Sequence, residues 1–233
     1  LIFVEVALVA EMSSNVQSLL DESAPLVDPA SASTAIFYSI SNAQKGLAGI
    51  SFGNFLIKRV VTSLSNEFKE LKTFATLSPL PGFKSWLHKR LEVGDKFLLN
   101  ASDRKALQLV DGNSGEAKGR LKALLEDATC LESPEVSEAL QGVLTRLAAH
   151  YLVQEKRGEG ELRALDPVAH FHLSNGARIQ RINWKGDSSA KGFEQSAGLM
   201  VNYIYKLRHL ETNHESYTSS GKVAISSSLR TLL

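Results

Sequence analysis

Residues 34–64, TAIFYSISNAQKGLAGISFGNFLIKRVVTSL, pass from one periodicity to another and so decide the fold class. The opening TAIFYSI (34–40) is dense in aromatic and β-branched types, which predicts a strand. Glycines at 46, 49 and 53 follow. From Asn54 onward, Leu56, Val60, Leu64, Phe68 and Leu71 recur at helical spacing, with Lys58, Arg59, Asn66 and Lys69 on other faces. Residues 74–77 return as a strand, which Pro79-Leu80-Pro81-Gly82 breaks. Strand, glycine-rich loop, helix and strand in that order predict an α/β domain. Such a loop aims the unpaired N–H groups and the positive dipole end of its helix at one point, which suits a phosphate. The spacing is neither GxxxxGK[ST] nor GxGxxG, which disfavours kinases and dehydrogenases. A plain tight turn between strand and helix fits the same residues.

Upstream, residues 1–9 alternate well enough for a strand. Ser13-Ser14 then caps a short helix reaching about Leu20, and a Pro-containing loop fills 21–33. Downstream, residues 83–155 read as a mostly helical insertion, with pieces near Trp86, 103–110, 118–127 and 134–154. Ser133-Pro134 is a clear start for the last of these. The polar KRGEGE (156–161) is a connector. Residues 168–173 and 178–184 flank Ser174-Asn175-Gly176 and read as the two strands of a hairpin. Residues 193–207 read as a closing helix, followed by a polar tail with one more weak helix. No internal repeat or low-complexity tract occurs.

With 233 residues, 43% hydrophobic and 22% charged, the composition is that of a globular protein. A net charge of +1 argues against nucleic acid as a partner, since phosphate-backbone affinity needs a concentrated cationic face. The local basic groups Lys84-Lys89-Arg90 and Arg178-Arg181-Lys185 read mostly as solvated faces. The single cysteine, Cys130, fits a reducing compartment and reads as a small buried hydrophobe without basic neighbours. The opening LIFVEVALVA is too short for a membrane span and lacks a basic flank, so no membrane is expected as a partner. The absence of an initiating Met predicts a chain that belongs to a longer protein.

Two segments carry candidate chemistry. Ser78 in TLSPLPGF (76–83) ends a strand, where α/β sheets place ligand groups, although no nucleophile elbow surrounds it. A serine before Pro-Leu-Pro-Gly also reads as a turn-forming hydroxyl. His172 lies in DPVAHFHLSNGA (166–177) among apolar neighbours, where a hydrogen-bonded core residue is the ordinary reading. His170 and His172 would share a face of a strand, as a metal pair would, but no further Cys, Asp or Glu stands at ligand spacing except Asp166. No metal site is expected.

QKGLAG (44–49) resembles, offset by one residue, the acyl-CoA loop of the GNAT acetyltransferase fold. More specifically, NFLIKRVV (54–61), TLSPLPGF (76–83), DPVAHFHLSNGA (166–177), RINW (181–184) and GLMVNYIY (198–205) together resemble the catalytic domain of malonyl-CoA decarboxylases. The resemblance covers nearly the whole chain as one catalytic domain, 1–233. It implies a GNAT-like fold, a central mixed sheet flanked by helices, without the N-terminal helical domain of that family. It places acyl-CoA binding on Ala48, Gly49, Ile50, Ser51, Phe52, Gly53 and Asn54. Ser78 takes the position of the catalytic serine and proton acceptor, His172 that of the catalytic histidine and proton donor, and Tyr205 that of an active-site tyrosine. Animal members carry Glu where this chain has Ser51, so that any role of that carboxylate is filled differently here or is dispensable.

The resemblance further implies malonyl-CoA as substrate, acetyl-CoA and CO2 as products, and no separate cofactor. It also leads to the expectation of a cytoplasmic homo-oligomer of bacterial type, because the targeting tripeptide of the animal enzymes is missing. The alternatives are a GNAT-type N-acyltransferase, a hydrolase built on Ser78 and His172, and a non-catalytic acyl-CoA sensor.

Overall fold

The computed structural model describes residues 2–25, 28–42, 53–110 and 116–233, and at 2, 41–42 and 53–56 the backbone alone. Strand β1 (Ile2–Val9), helix α1 (Val16–Leu19), strand β2 (Thr34–Asn42) and helix α2 (Gly53–Glu67) come first. Strands β3 (Thr73–Thr76) and β4 (Ser78–Pro79) are one strand interrupted at Leu77. Helices α3 (Phe83–Glu92), α4 (Ala101–Leu109), α5 (Ala117–Glu126) and α6 (Pro134–Val153) follow in the stretch read as mostly helical. Then come α7 (Pro167–Ser174), β5 (Arg178–Asn183), α8 (Ala190–Ser196), β6 (Met200–Ile204), α9 (Leu210–Ser220) and α10 (Ser227–Arg230).

The strands make one mixed sheet. β1 runs antiparallel to β2, and β2 parallel to β3. β6 is the shared neighbour, antiparallel to β3, β4 and β5. The two-residue period of the strands divides the core into two. Ile36, Ala75, Leu77, Met200 and Ile204 line one face, under Met12, Val16 and Leu19. Ala35, Phe37, Phe74, Val201 and Tyr203 line the other, against Ile57 and Val61 of α2 and helices α3–α6. In α6 the buried stripe Leu140, Val143, Leu144, Leu147 and Tyr151 follows the helical repeat, and Ser133 caps its start as expected. α4 has a capping box of Asn100 and Asp103, and Asp103 also pairs with Arg146 of α6.

Two expected elements differ. Residues 168–173 are helix, not the first strand of a hairpin. Asp166 caps α7 by accepting from the N–H groups of Val168 and Ala169, and Pro167 occupies the first turn, where a missing N–H does no harm. Asn175-Gly176 ends that helix: the Gly176 N–H donates to the Leu173 carbonyl and the Ala177 N–H to that of His172. The positive φ that makes Asn-Gly a hairpin turn serves equally well as a helix stop. The closing helix expected over 193–207 stops at Ser196, because Ala197 and Gly198 both take left-handed conformations. MVNYI then runs as β6, with all five residues buried. A strand buried on both faces lacks alternation, so its apolar run imitates a helix.

Cys130 is half-buried in a 3-10 turn, and Lys84 and Lys185 do stand near it. Burial nevertheless dominates and pushes its thiol up. Among the described residues no helix is long and apolar enough to cross a membrane.

Gly176 has φ +76°, and an added Cβ would lie 2.1 Å from the Leu210 carbonyl oxygen. Gly119, inside α5, has nothing within 4 Å of that position. Gly176→Ala is expected to cost about 3 kcal/mol or more, because left-handed backbone and a clash combine. Gly119→Ala should be neutral or stabilising by up to about 1 kcal/mol. Thermal melts of the two variants check this pair.

Candidate active site

The site forms on one face of the sheet, where β3–β4 lies beside β6. Residues two apart on a strand share a face, so Thr76 and Ser78 present their hydroxyls together, and Tyr203 and Tyr205 their rings. α7 crosses this face and brings in His172. The Ser78 hydroxyl donates to Thr76 Oγ1 at 2.8 Å and lies 3.0 Å from His172 Nε2. His172 Nδ1 lies 2.7 Å from the Tyr205 hydroxyl. The imidazole stacks on the Tyr203 ring at a centroid distance of 4.4 Å, and Tyr205 meets Phe37 edge to face. Its position is therefore set by hydrogen bonds at both nitrogens and by a ring against its face.

The residues expected from sequence separate into two groups. Ser78, His172 and Tyr205 come together, although Ser78 and His172 stand 94 positions apart in the chain. Of the acyl-CoA loop, Ala48, Gly49, Ile50, Ser51 and Phe52 lie outside the described residues. Gly53 and Asn54 open α2. β2 and β3 run parallel, so the start of α2 and the Ser78 segment both follow the carboxyl ends of their strands. His170 does not share a face with His172, because the segment is helical. It turns instead toward Tyr217, whose hydroxyl lies 2.8 Å from its Nδ1. Among the described residues no cluster of three His, Cys, Asp or Glu is arranged to hold a metal.

Thr76, Asn202 and Tyr203 escaped the reading of the sequence. Their signal was the strand period: Thr76 stands two before Ser78, and Tyr203 two before Tyr205. Asn202, fully buried, donates to the Thr76 and Ser13 carbonyls and accepts from Arg181 and Asn183. It ties β6 to the point where β3 is interrupted.

Behind the site, the buried Asp166 carboxylate joins three elements. Besides capping α7, it accepts from the Tyr151 hydroxyl at 3.2 Å and from the Gly82 N–H at the start of α3. Burial pushes its carboxyl up, against the pull of these donors, and pushes the Tyr151 hydroxyl up as well.

Burial also governs the site's charge. His172 is 3% exposed, and desolvation pushes its pKa down to about 3. Burial raises the Tyr203 and Tyr205 hydroxyls well above their ordinary value. At neutral pH the cluster is uncharged. It can accept and donate single protons at defined atoms, and an anion brought beside the imidazole would favour its protonated form.

Comparison with known proteins points one way. A family described as "Malonyl-CoA decarboxylase C-terminal domain" matches residues 1–233. The mitochondrial malonyl-CoA decarboxylase of Rattus norvegicus is 42% identical over 239 residues, which cover 100% of this chain and 48% of that protein. Crystal structures of malonyl-CoA decarboxylases are also similar. That from Agrobacterium vitis has TM-score 0.86 and 45% identity, covering 100% of this chain and 53% of its own. That from Rhodopseudomonas palustris has TM-score 0.84 and 44% identity, covering 99% and 49%. The chain thus spans about half the length of the relatives it matches.

The depressed pKa of His172 has a measurable consequence. Its folded value, about 3, lies below the ordinary 6.5, so the unfolded chain binds more protons between those limits. Stability contributed by the neutral ring is complete above pH 6.5 and is lost as pH falls toward 3. From pH 7 to pH 5 the loss from this one group is about 2 kcal/mol. Denaturation of the wild type and of His172→Gln at both pH values checks this: the variant should lose less stability on acidification.

Proposed function

The chain belongs to the malonyl-CoA decarboxylase family, and on that premise we propose that it converts malonyl-CoA to acetyl-CoA and CO2. The observation that carries the reading is the buried Ser78–His172–Tyr205 cluster, formed by the three residues that the resemblance assigns to the active site. The proposed acyl-CoA site is the loop 48–54, with the start of α2 directing backbone N–H groups at phosphate oxygens.

The proposed chemistry follows from the thioester. With the bond to the carboxylate held perpendicular to the thioester plane, that C–C bond breaks and its electron pair enters the carbonyl. CO2 leaves, and the acetyl-CoA enolate remains. Hydrogen-bond donors aimed at the enolate oxygen stabilise it most in a dry site. Ser78 orients the reacting pair by holding His172 Nε2 toward the malonyl α-carbon. His172 delivers the proton from Nε2 to the α-carbon as general acid. The free imidazole is neutral, and the malonyl carboxylate docking beside it favours proton uptake. The proton taken up goes to Nδ1, where the Tyr205 hydroxyl accepts its hydrogen bond, and the ring is left neutral once Nε2 has given its own proton to the product, which balances the reaction. Tyr205 holds Nδ1 and so the ring's orientation. The thioester itself is the electron sink, so the chemistry calls for no metal, biotin or pyridoxal group. An apolar wall favours release of neutral CO2 over a retained carboxylate.

The reading extends to a cytoplasmic homo-oligomer acting in fatty acid metabolism. A single cysteine suits a reducing compartment, and acetyl-CoA is a unit from which fatty chains are built.

Product analysis after incubation with malonyl-CoA tests the proposal, with methylmalonyl-CoA as a selectivity control. His172→Asn and Ser78→Ala should each lower kcat by about 10²-fold or more, with acyl-CoA binding largely kept. His172→Asn turning over at the wild-type rate would remove the protonation role. Loss of binding in Ser78→Ala would make that serine a docking residue instead. Acceptor-dependent consumption of acetyl-CoA, with no CO2 from malonyl-CoA, would replace the proposal with the N-acyltransferase alternative.

A further inference from the structure

Thr76 stands outside every role assigned so far, yet it closes the hydrogen-bond chain through the site. It is fully buried, and its Oγ1 accepts the Tyr203 N–H at 3.2 Å and the Ser78 hydroxyl at 2.8 Å. A serine hydroxyl carries one hydrogen. Once that hydrogen points at Thr76, Ser78 can meet His172 Nε2, 3.0 Å away, only as an acceptor. Nε2 must then bear the ring hydrogen. A neutral imidazole has one N–H, so Nδ1 is bare and accepts from the Tyr205 hydroxyl at 2.7 Å. Every donor thus runs in one direction: Tyr205 to Nδ1, Nε2 to Ser78, Ser78 to Thr76.

We propose that Thr76 is a positioning residue that holds His172 as its Nε2–H tautomer by taking the hydrogen of Ser78. The donation from Ser78 to Thr76 sets the direction, and the burial of all four side chains keeps the links consistent with one another. Reversing one bond leaves a neighbour unpaired in a dry site, at the cost of a buried polar group. The consequence is functional. Nε2, the nitrogen facing Ser78, keeps a proton to give, while Ser78 has no bare nitrogen beside it to act as a base. The arrangement therefore suits proton delivery and disfavours a nucleophilic serine. After Nε2 has given its proton, Ser78 cannot donate to it without leaving Thr76, so the ring returns to the same tautomer.

The inference deepens the decarboxylase reading and rests on it for activity alone, because the tautomer is read in ligand-free protein. The full chain labelled with 15N-histidine reports both ring nitrogens by NMR, and His172→Gln identifies the His172 signals among the six histidines. In the wild type, Nε2 should show the protonated-type shift and Nδ1 the unprotonated type. In Thr76→Val, Ser78 is released to donate to Nε2, so the ring should change to Nδ1–H. Its kcat for malonyl-CoA should fall about tenfold or more, with KM little changed. Thr76→Ser, which restores the acceptor, should restore tautomer and kcat together.

An Nδ1–H ring in the wild type overturns the proposal without any variant, even if Thr76→Val does not fold. So does a Thr76→Val protein that keeps the Nε2–H tautomer or the wild-type kcat. Wild-type protein that shows the Nε2–H ring but releases no CO2 would overturn the decarboxylase reading and leave the role of Thr76 in setting the tautomer supported.

Discussion

The interruption of the β3–β4 strand at Leu77 is the constraint on which the site depends. A buried strand must satisfy its N–H and C=O groups, and here β6 faces a partner whose ladder fails for one residue. The Leu77 N–H turns to the Phe37 carbonyl of β2. Side chains replace what the backbone has lost: Thr76 Oγ1 takes the Tyr203 N–H, and Asn202 donates to the Thr76 carbonyl. The repair leaves a threonine hydroxyl fixed on the sheet face. Ser78 rejoins the ladder two residues later, within reach of it. An irregularity that would cost stability if left unpaired thus becomes the support for a polar site.

The second half of the site depends on how α7 is held. The helix is short, and little of its stability comes from propensity. Asp166 fixes its start and ties it through Tyr151 to α6 and through Gly82 to α3. Gly176 fixes its end with the α9 backbone packed directly against it. Between these two stops, His172 has one place to go, against Tyr203 and between Ser78 and Tyr205. Both ends are set by contacts outside the helix, so the imidazole is positioned by the sheet and its helices together.

Dryness then sets the chemistry. Burial keeps the imidazole and both tyrosines neutral, so the free site holds no charge that water would have to screen. An anion arriving there would meet hydrogen-bonding groups in fixed positions and favour a proton on the ring beside it. A cluster of this kind acts by where its hydrogens point, which is why a single threonine can matter to it.

Residues 34–77 carried the α/β reading, because a dense β-branched run, glycines, a helical repeat and a second strand follow one another. Ser133-Pro134 announced α6 by local chemistry. Ser78, His172 and Tyr205 were legible as candidates through the blocks they sit in. What failed was the state of two segments whose local signals have two meanings. Asn-Gly supplies positive φ for a helix stop as well as for a hairpin, and an apolar run without alternation fits a strand buried on both faces as well as a helix. Thr76 and Asn202 look ordinary in the chain, since their roles exist only where β3 and β6 meet. The sequence by itself determined which residue types were available and the local stops that frame them. Only the tertiary structure decided that Ser78 and His172 meet and which way the protons point between them. Those facts depend on contacts between distant segments and on the exclusion of water, and neither is encoded in local periodicity.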